Sequence, residues 1–172
     1  VVKINSLGSP ESRTNYKNAL VAFFRSKRNV LTEEDKKRLL KNPLRLLDSK
    51  EEHMKELKAE APQIVDWLGP ESKQHFVQVL EFLDELNIPY VLTHTLVRGL
   101  DYYSDTIFEF YGLMGDTKTP YSLGGGGRYD LLVEQLGGKP TPAAGIGLGV
   151  ERGILALKEF EDKNKMKLVQ DG

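Results

Sequence analysis

The first half of the chain carries its apolar residues at helical spacing, and the second half carries them in strand-like runs. Val1 to Leu7 alternates weakly and predicts a short strand. Ser9-Pro10-Glu11 then starts a helix, with serine as N-cap, proline at the first helical position and an acid in the first turn. Tyr16, Ala19, Leu20, Phe23 and Phe24 recur on one face of it. Thr32-Glu33-Glu34-Asp35 predicts a capping box with aspartate in the usual glutamate place. The helix it opens runs through Leu39 and Leu40 and ends at Asn42-Pro43. Short helical pieces are expected at 44–47, 51–60 and 63–68. Pro70-Glu71 opens a longer helix whose Phe76, Val79, Leu80, Leu83 and Leu86 form one apolar stripe. Residues 10–86 thus read as a helical unit.

At Ile88-Pro89 the period changes. Tyr90–Thr93, Thr106–Tyr111 and Tyr121–Leu123 are β-branched and aromatic and predict strands, and Ala143–Gly149 predicts a last one interrupted by glycine. Connections of this length suggest an antiparallel sheet, with 96–103 as the turn between its first two strands and Met114–Thr119 as the second turn. Gly124–Gly127 leads through Arg128 into a helix that Gly137-Gly138 stops. Val150–Phe160 is expected to be a helix with Ile154, Leu155 and Leu157 facing inward, followed by a polar linker over 163–172. The fold class is α+β: an antiparallel β-sheet with flanking helices from residues 1–9 and 87–172, and an inserted all-helical subdomain at 10–86.

Composition narrows the function classes. With 40% hydrophobic and 28% charged residues the chain reads as an ordinary globular protein. It has no Cys, which excludes disulfides, thiolate zinc sites and cysteine nucleophiles and fits a cytoplasmic location. No apolar run approaches the roughly 20 residues that span a bilayer. The chain opens at Val1-Val2-Lys3-Ile4 without an initiator Met, and a piece of a longer protein is expected. Charge is uneven: residues 1–60 hold 14 Lys and Arg against 9 Asp and Glu, net +5, whereas 61–172 hold 10 against 16, net −6. A basic front part suggests a polyanion partner, although solvated helix faces would look the same.

Three stretches could carry chemistry. Leu96-Val97-Arg98-Gly99-Leu100-Asp101-Tyr102-Tyr103 packs an arginine, a carboxylate and two phenols into eight residues. A guanidinium is a rigid fork suited to carboxylate or phosphate, and phenols supply flat walls with a polar tip. A surface hairpin with one ion pair is the plainer alternative. Gly124-Gly125-Gly126-Gly127-Arg128-Tyr129-Asp130 either admits a ligand close to the backbone or forms a flexible hairpin end. It is no P-loop, lacking the spaced Gly-Lys-Ser/Thr. In Gly145-Ile146-Gly147-Leu148-Gly149-Val150-Glu151-Arg152 glycine alternates with apolar residues, so one strand face is bare. That face suits a flat ligand under Arg152, or simply close strand–helix packing. His53, His75 and His94 sit at no metal-ligand spacing, and no protein-held metal is expected.

Together the three stretches resemble the histidyl-tRNA synthetases of class II. Leu96–Tyr103 is similar to that family's first histidine signature, and Gly125–Asp130 with Val133–Gly138 is similar to its second. Gly145–Arg152 resembles class II motif 3, and Ile4–Gly8 resembles the strand leading into the insertion. The resemblance implies a histidine–tRNA ligase that activates histidine with ATP and passes it to tRNA(His), with Mg2+ arriving on the ATP and the whole enzyme a homodimer. Arg98 would contact the histidine carboxylate and the ATP α-phosphate, the catalytic task that a metal performs elsewhere in the class. Tyr102, Tyr103, Arg128, Tyr129, Gly145 and Gly147 would complete the histidine site. Gly149, Glu151 and Arg152 would join Arg98 in holding ATP. Residues 10–86 would be the insertion domain facing tRNA, with Arg25, Lys27, Arg28, Lys36, Lys37 and Arg38 as contacts. Leu131 and Gly153 depart from the family pattern, and nothing resembles motif 1, motif 2 or the anticodon-binding domain. The alternatives are a histidine-sensing regulatory subunit of histidine biosynthesis and a tRNA-binding helical module.

Overall fold

A computed structural model describes residues 1–98, 102–114 and 119–164. Gly99, Leu100 and Asp101, most of the Met114–Thr119 turn, and the segment after Asn164 lie outside the described residues. In chain order the elements are β1 (Val2–Ser6), α1 (Pro10–Ser26), α2 (Glu33–Lys41), α3 (Leu44–Leu47) and α4 (Met54–Glu60). A 3-10 turn at Ile64–Trp67 precedes α5 (Pro70–Glu85), β2 (Tyr90–Leu92), β3 (Ser104–Met114) and β4 (Thr119–Arg128). Then come α6 (Leu132–Gln135), β5 (Ala144–Leu148) and α7 (Val150–Asn164).

The helix starts follow the local chemistry. Ser9 caps α1 by accepting from the Ser12 amide at 3.2 Å, with Pro10 at the first position. Both halves of the Thr32–Asp35 capping box are present: the Asp35 amide donates to Thr32 Oγ1 at 3.2 Å and the Thr32 amide to Asp35 Oδ2 at 3.0 Å. Gly137, at φ +87°, ends α6 in the left-handed conformation expected of a glycine stop.

The five strands form one sheet in the order β2-β1-β3-β4-β5. All neighbours are antiparallel except β1 and β2, which run parallel. This corrects the all-antiparallel expectation: between β1 and β2 the chain makes the whole helical excursion, and a crossover of that kind, unlike a tight turn, returns a strand in the same direction. It also corrects the 96–103 turn. β2 and β3 are not neighbours, because β1 lies between them, so they do not form a hairpin. The four glycines 124–127 are not a hairpin end. They lie inside β4, paired with β3 on one side and β5 on the other.

Directly paired residues point to the same face of a sheet. Lys3, Glu109, Gly125 and Gly147 therefore form one cross-strand row, and Asn5, Ile107, Gly127 and Gly145 form the next. The helices from α1 to the 3-10 turn cover the Ile107 side. Leu20, Phe24, Leu46, Met54 and Ile64 belong to the same buried cluster as Leu96, Val97, Tyr103 and Ile107. The sheet platform and the helical excursion thus share a core.

Two apolar stripes are less buried than their periodicity predicts. Phe76 of α5 is buried, but Leu86, just past the end of that helix, is 69% exposed. In α7, Ile154, Leu155 and Leu157 are 48%, 54% and 43% exposed, which corrects their expected inward orientation. The reason is local: Ala156 and Phe160 lie beside Gly112 and Tyr121, while Arg152 ties the first turn to Ser122, and this rotates the stripe away from the sheet.

Candidate functional site

The segment before Arg98 is pinned to the sheet. Buried Asn5 on β1 donates from Nδ2 to the Leu96 carbonyl at 2.9 Å and the His94 carbonyl at 3.3 Å. Leu96 and Val97 are buried, which brings Arg98 out over the glycine row. There its Cζ stands 5.5 Å from the Tyr103 ring centroid, and its Nη1 pairs with Glu109. Burial works against the Arg98 charge, but Tyr103 and Glu109 more than offset it and raise its pKa. The guanidinium stays a permanent cation.

Three phenols stand beside it. Tyr102 and Tyr103 lie 4.8 Å apart, and Tyr129 meets them edge-on at 5.8 and 6.2 Å. Arg13 on α1 donates to the Tyr103 carbonyl, so a helix of the excursion holds this wall in place. Burial, and after it the neighbouring Tyr103 hydroxyl, raise the Tyr102 pKa. The Tyr129 hydroxyl occupies the place of a side chain at residue 145: a Cβ there would stand 2.3 Å from it.

These groups enclose a concave opening of about 390 Å³. Its walls are Arg98, Tyr102, Tyr103, Tyr129 and Leu132, and its floor is Gly125, Gly145, Ile146 and Gly147. One cation, three aromatic rings and bare backbone suit a small planar ligand carrying an anionic group.

The other candidates lie elsewhere. Arg128 is engaged by Asp130, with Nε and Nη2 at 3.0 and 2.8 Å from Oδ2. Asp130 Oδ1 also accepts the Ala143 amide at 2.9 Å, and the Asp130 amide donates to Ser104 Oγ at 3.2 Å, so this pair braces β3, β4 and β5. Arg152 donates to the Ser122 carbonyl at 2.7 Å, and Gly149 to Leu123 at 2.8 Å. They and Glu151 sit toward the other end of β4 and do not line the opening. With only four residues, α6 begins after Tyr129 and leaves Arg128 at a strand end, not at the predicted helix start.

Of the basic residues, Arg25, Arg28 and Lys36 border one groove with Leu31, Leu39 and Leu40. Lys27 pairs with Glu60 at 2.8 Å, Arg38 with Glu34, and Lys36 also with Glu33 at 2.7 Å, while Lys37 is exposed. Against the reading from spacing, the fold does bring one histidine to carboxylates. His53 Nε2 is 2.8 Å from Asp35 Oδ2 and its Nδ1 is 3.5 Å from Glu51 Oε2, a group of ligand type within 4.8 Å. Burial raises the Asp35 pKa, but hydrogen bonds from His53 and Thr32 outweigh it and lower the pKa overall.

Sequence reasoning missed Glu109. It lines up with Gly125 in the row beneath Arg98, and its Oε2 accepts the Tyr111 hydroxyl at 2.6 Å. The available signal was a lone acid inside the apolar run Thr106–Tyr111, because a charge in a half-buried strand needs a partner.

A mixed five-stranded sheet with flanking helices matches the fold of the class II aminoacyl-tRNA synthetases. A family model for histidyl-tRNA synthetase matches residues 10–152. The chain is similar to apo S. aureus histidyl-tRNA synthetase at 37% identity and a TM-score of 0.69, over 97% of this chain and 39% of that one. A histidine–tRNA ligase subunit from Alicyclobacillus acidocaldarius matches at 20% identity and a TM-score of 0.49, over 93% of this chain and 54% of that one. An ATP phosphoribosyltransferase regulatory subunit/histidyl-tRNA synthetase from Bacillus halodurans matches at 19% and 0.47, over 99% and 55%. This chain belongs to the histidyl-tRNA synthetase family. It spans well under two thirds of the length of these relatives. Among the described residues, no helix is long and apolar enough to cross a membrane.

Proposed function

We propose that this chain forms the histidine-binding part of a cytoplasmic histidine–tRNA ligase. The reaction joins histidine to ATP as histidyl-adenylate, releases pyrophosphate, and then transfers the acyl group to tRNA(His). The observation that carries the reading is the meeting of Arg98, Tyr102, Tyr103 and Tyr129 around one opening floored by glycine. In it the phenol walls take the imidazole ring and Arg98 takes the carboxylate. A fixed cation at that carboxylate also stabilises charge that develops on the neighbouring α-phosphate during attack. ATP, carrying its Mg2+, extends along the floor toward Gly149, Glu151 and Arg152. Residues 10–86 act as the insertion, meeting tRNA through Arg25, Arg28 and Lys36, with Lys27, Lys37 and Arg38 alongside. The whole enzyme is a homodimer. By themselves these 172 residues do not form adenylate, since nothing in them resembles the arginine-bearing motif 2.

Calorimetric titration with histidine tests the site. Arg98→Ala should weaken binding at least about ten-fold, as a charge-assisted hydrogen bond contributes roughly 1.5–3 kcal/mol. Wild-type binding that ignores the substitution would refute the placement of the carboxylate. Pyrophosphate exchange by the chain alone would refute its dependence on motif 2.

A further inference from the structure

Arg98 reaches the opening on a long side chain, and what holds its head decides which way it points. Its Nη1 pairs with Glu109 Oε1, in a pair whose two side chains are 22% and 16% exposed. The other oxygen of that carboxylate accepts the Tyr111 hydroxyl at 2.6 Å. Burial, and then this carboxylate, push the Tyr111 phenol up to about 12. Tyr111, Glu109 and Arg98 therefore form one relay of charge-assisted bonds across the sheet face, each carboxylate oxygen serving one donor. The glycine beneath completes it: a Cβ on Gly125 would stand 2.8 Å from Glu109 Cγ and 3.0 Å from Arg98 Nη1. With no side chain at 125, the ion pair lies flat over the strand. A guanidinium carries five donors; among the described residues Glu109 takes one at Nη1, and Tyr103 also hydrogen-bonds the group.

We infer that Glu109 is the positioning residue for Arg98, aiming its guanidinium into the opening, and that Tyr111 fixes Glu109 in turn. This rests on the proposed reading of Arg98 as the carboxylate-binding group. The ion pair restricts the guanidinium before a ligand arrives, so binding does not have to immobilise it. Such ordering costs about 0.5–1.5 kcal/mol per side chain, roughly two- to twelve-fold in affinity.

Two readouts on the 172-residue chain decide the matter. The first is NMR of the arginine guanidinium groups, with the Arg98 signal assigned from Arg98→Lys. Rotation of the Arg98 head should be slow in the wild type, several-fold faster in Glu109→Gln, and intermediate in Tyr111→Phe, which leaves the charge in place. Unchanged rotation in both variants would overturn the inference, whatever the ligand. Should Glu109→Gln fail to fold, Tyr111→Phe alone carries this comparison.

The second readout is titration with histidine and with histidinol, which lacks the carboxylate. Glu109→Gln should weaken histidine about five-fold, leave histidinol unchanged, and add nothing in an Arg98→Ala background. Equal weakening of both ligands would assign Glu109 a structural role only, and tighter histidine binding would make it a competitor for Arg98. Either result overturns the inference. Failure of the wild type to bind histidine would sink the proposed function, while the rotation measurement would still judge the pairing.

Discussion

Two glycines of the platform, 126 and 147, should respond in opposite ways to the same added methyl group. At Gly126 a Cβ would stand 2.0 Å from the Gly145 carbonyl oxygen and 2.9 Å from Ile146 Cα. Even a weak C–H···O contact needs about 3.3 Å, so the overlap exceeds an ångström, and the atoms struck are backbone on the paired strand. Neither can swing aside, and β4 and β5 would have to part. Ordinary overpacking costs about 1–3 kcal/mol, and a rigid backbone clash belongs at or above the top of that range. Gly126→Ala should therefore lower stability by about 3 kcal/mol or more, roughly 6–12 °C in Tm for a domain of this size. At Gly147 nothing lies within 4 Å of the added atom, so Gly147→Ala should stay within about 0.5 kcal/mol of the wild type. Its methyl would stand on the floor of the opening, however, and should weaken histidine binding. Urea unfolding followed by circular dichroism, with calorimetry on the folded variants, reads both effects. A Gly126→Ala protein as stable as the wild type would refute the close pairing of β4 with β5.

Three further outcomes follow from the charged groups. The folded-state pKa of Asp35 is lowered, so its contribution to stability is present above the unfolded value of about 3.9 and is lost as pH falls through the folded value. Asp35→Asn should flatten that acid limb, as unfolding midpoints between about pH 6 and 3 would reveal; an unchanged slope would remove Asp35 as its source. The Tyr111 phenol, at about 12, should titrate above the ordinary phenol value of about 10, and Glu109→Gln should bring it down. Its stabilising share is full below the unfolded value of about 10 and is lost as pH rises through the folded one. Phenolate absorbance during alkaline titration checks this, with Tyr111→Phe as the blank. Zinc should not raise Tm, because Asp35 Oδ2 already accepts the Thr32 amide and hydroxyl and the Arg38 guanidinium stands 3.6 Å from Glu51. A zinc-dependent rise lost in His53→Ala would establish a metal site there.

Local chemistry was the legible part of this fold. Ser9-Pro10 and Thr32–Asp35 mark helix starts because a cap needs only its own turn. Strand order was not legible. The place of β1 between β2 and β3 depends on a crossover of more than eighty residues, which leaves no local mark. The stripe on α7 was visible, but what it faces depends on Ala156 and Arg152 meeting the sheet, and periodicity cannot supply that. At the site, the family resemblance groups Arg98, Tyr102, Tyr103 and Tyr129, and all four line the one opening. Arg152 was expected beside them and stands apart, held by Ser122. Glu109 escaped notice because an acid within an aromatic strand reads as a surface position until its partner is known.

The shared core has a thermal corollary. Tyr103 and Ile107 are embedded among the same side chains as Tyr16, Leu20 and Phe24, and Arg13 grips the backbone at Tyr103. Heating that melts the excursion would therefore dismantle the aromatic wall in the same step. An amide-exchange experiment should find the amides of α1 and of β3 opening with one common free energy.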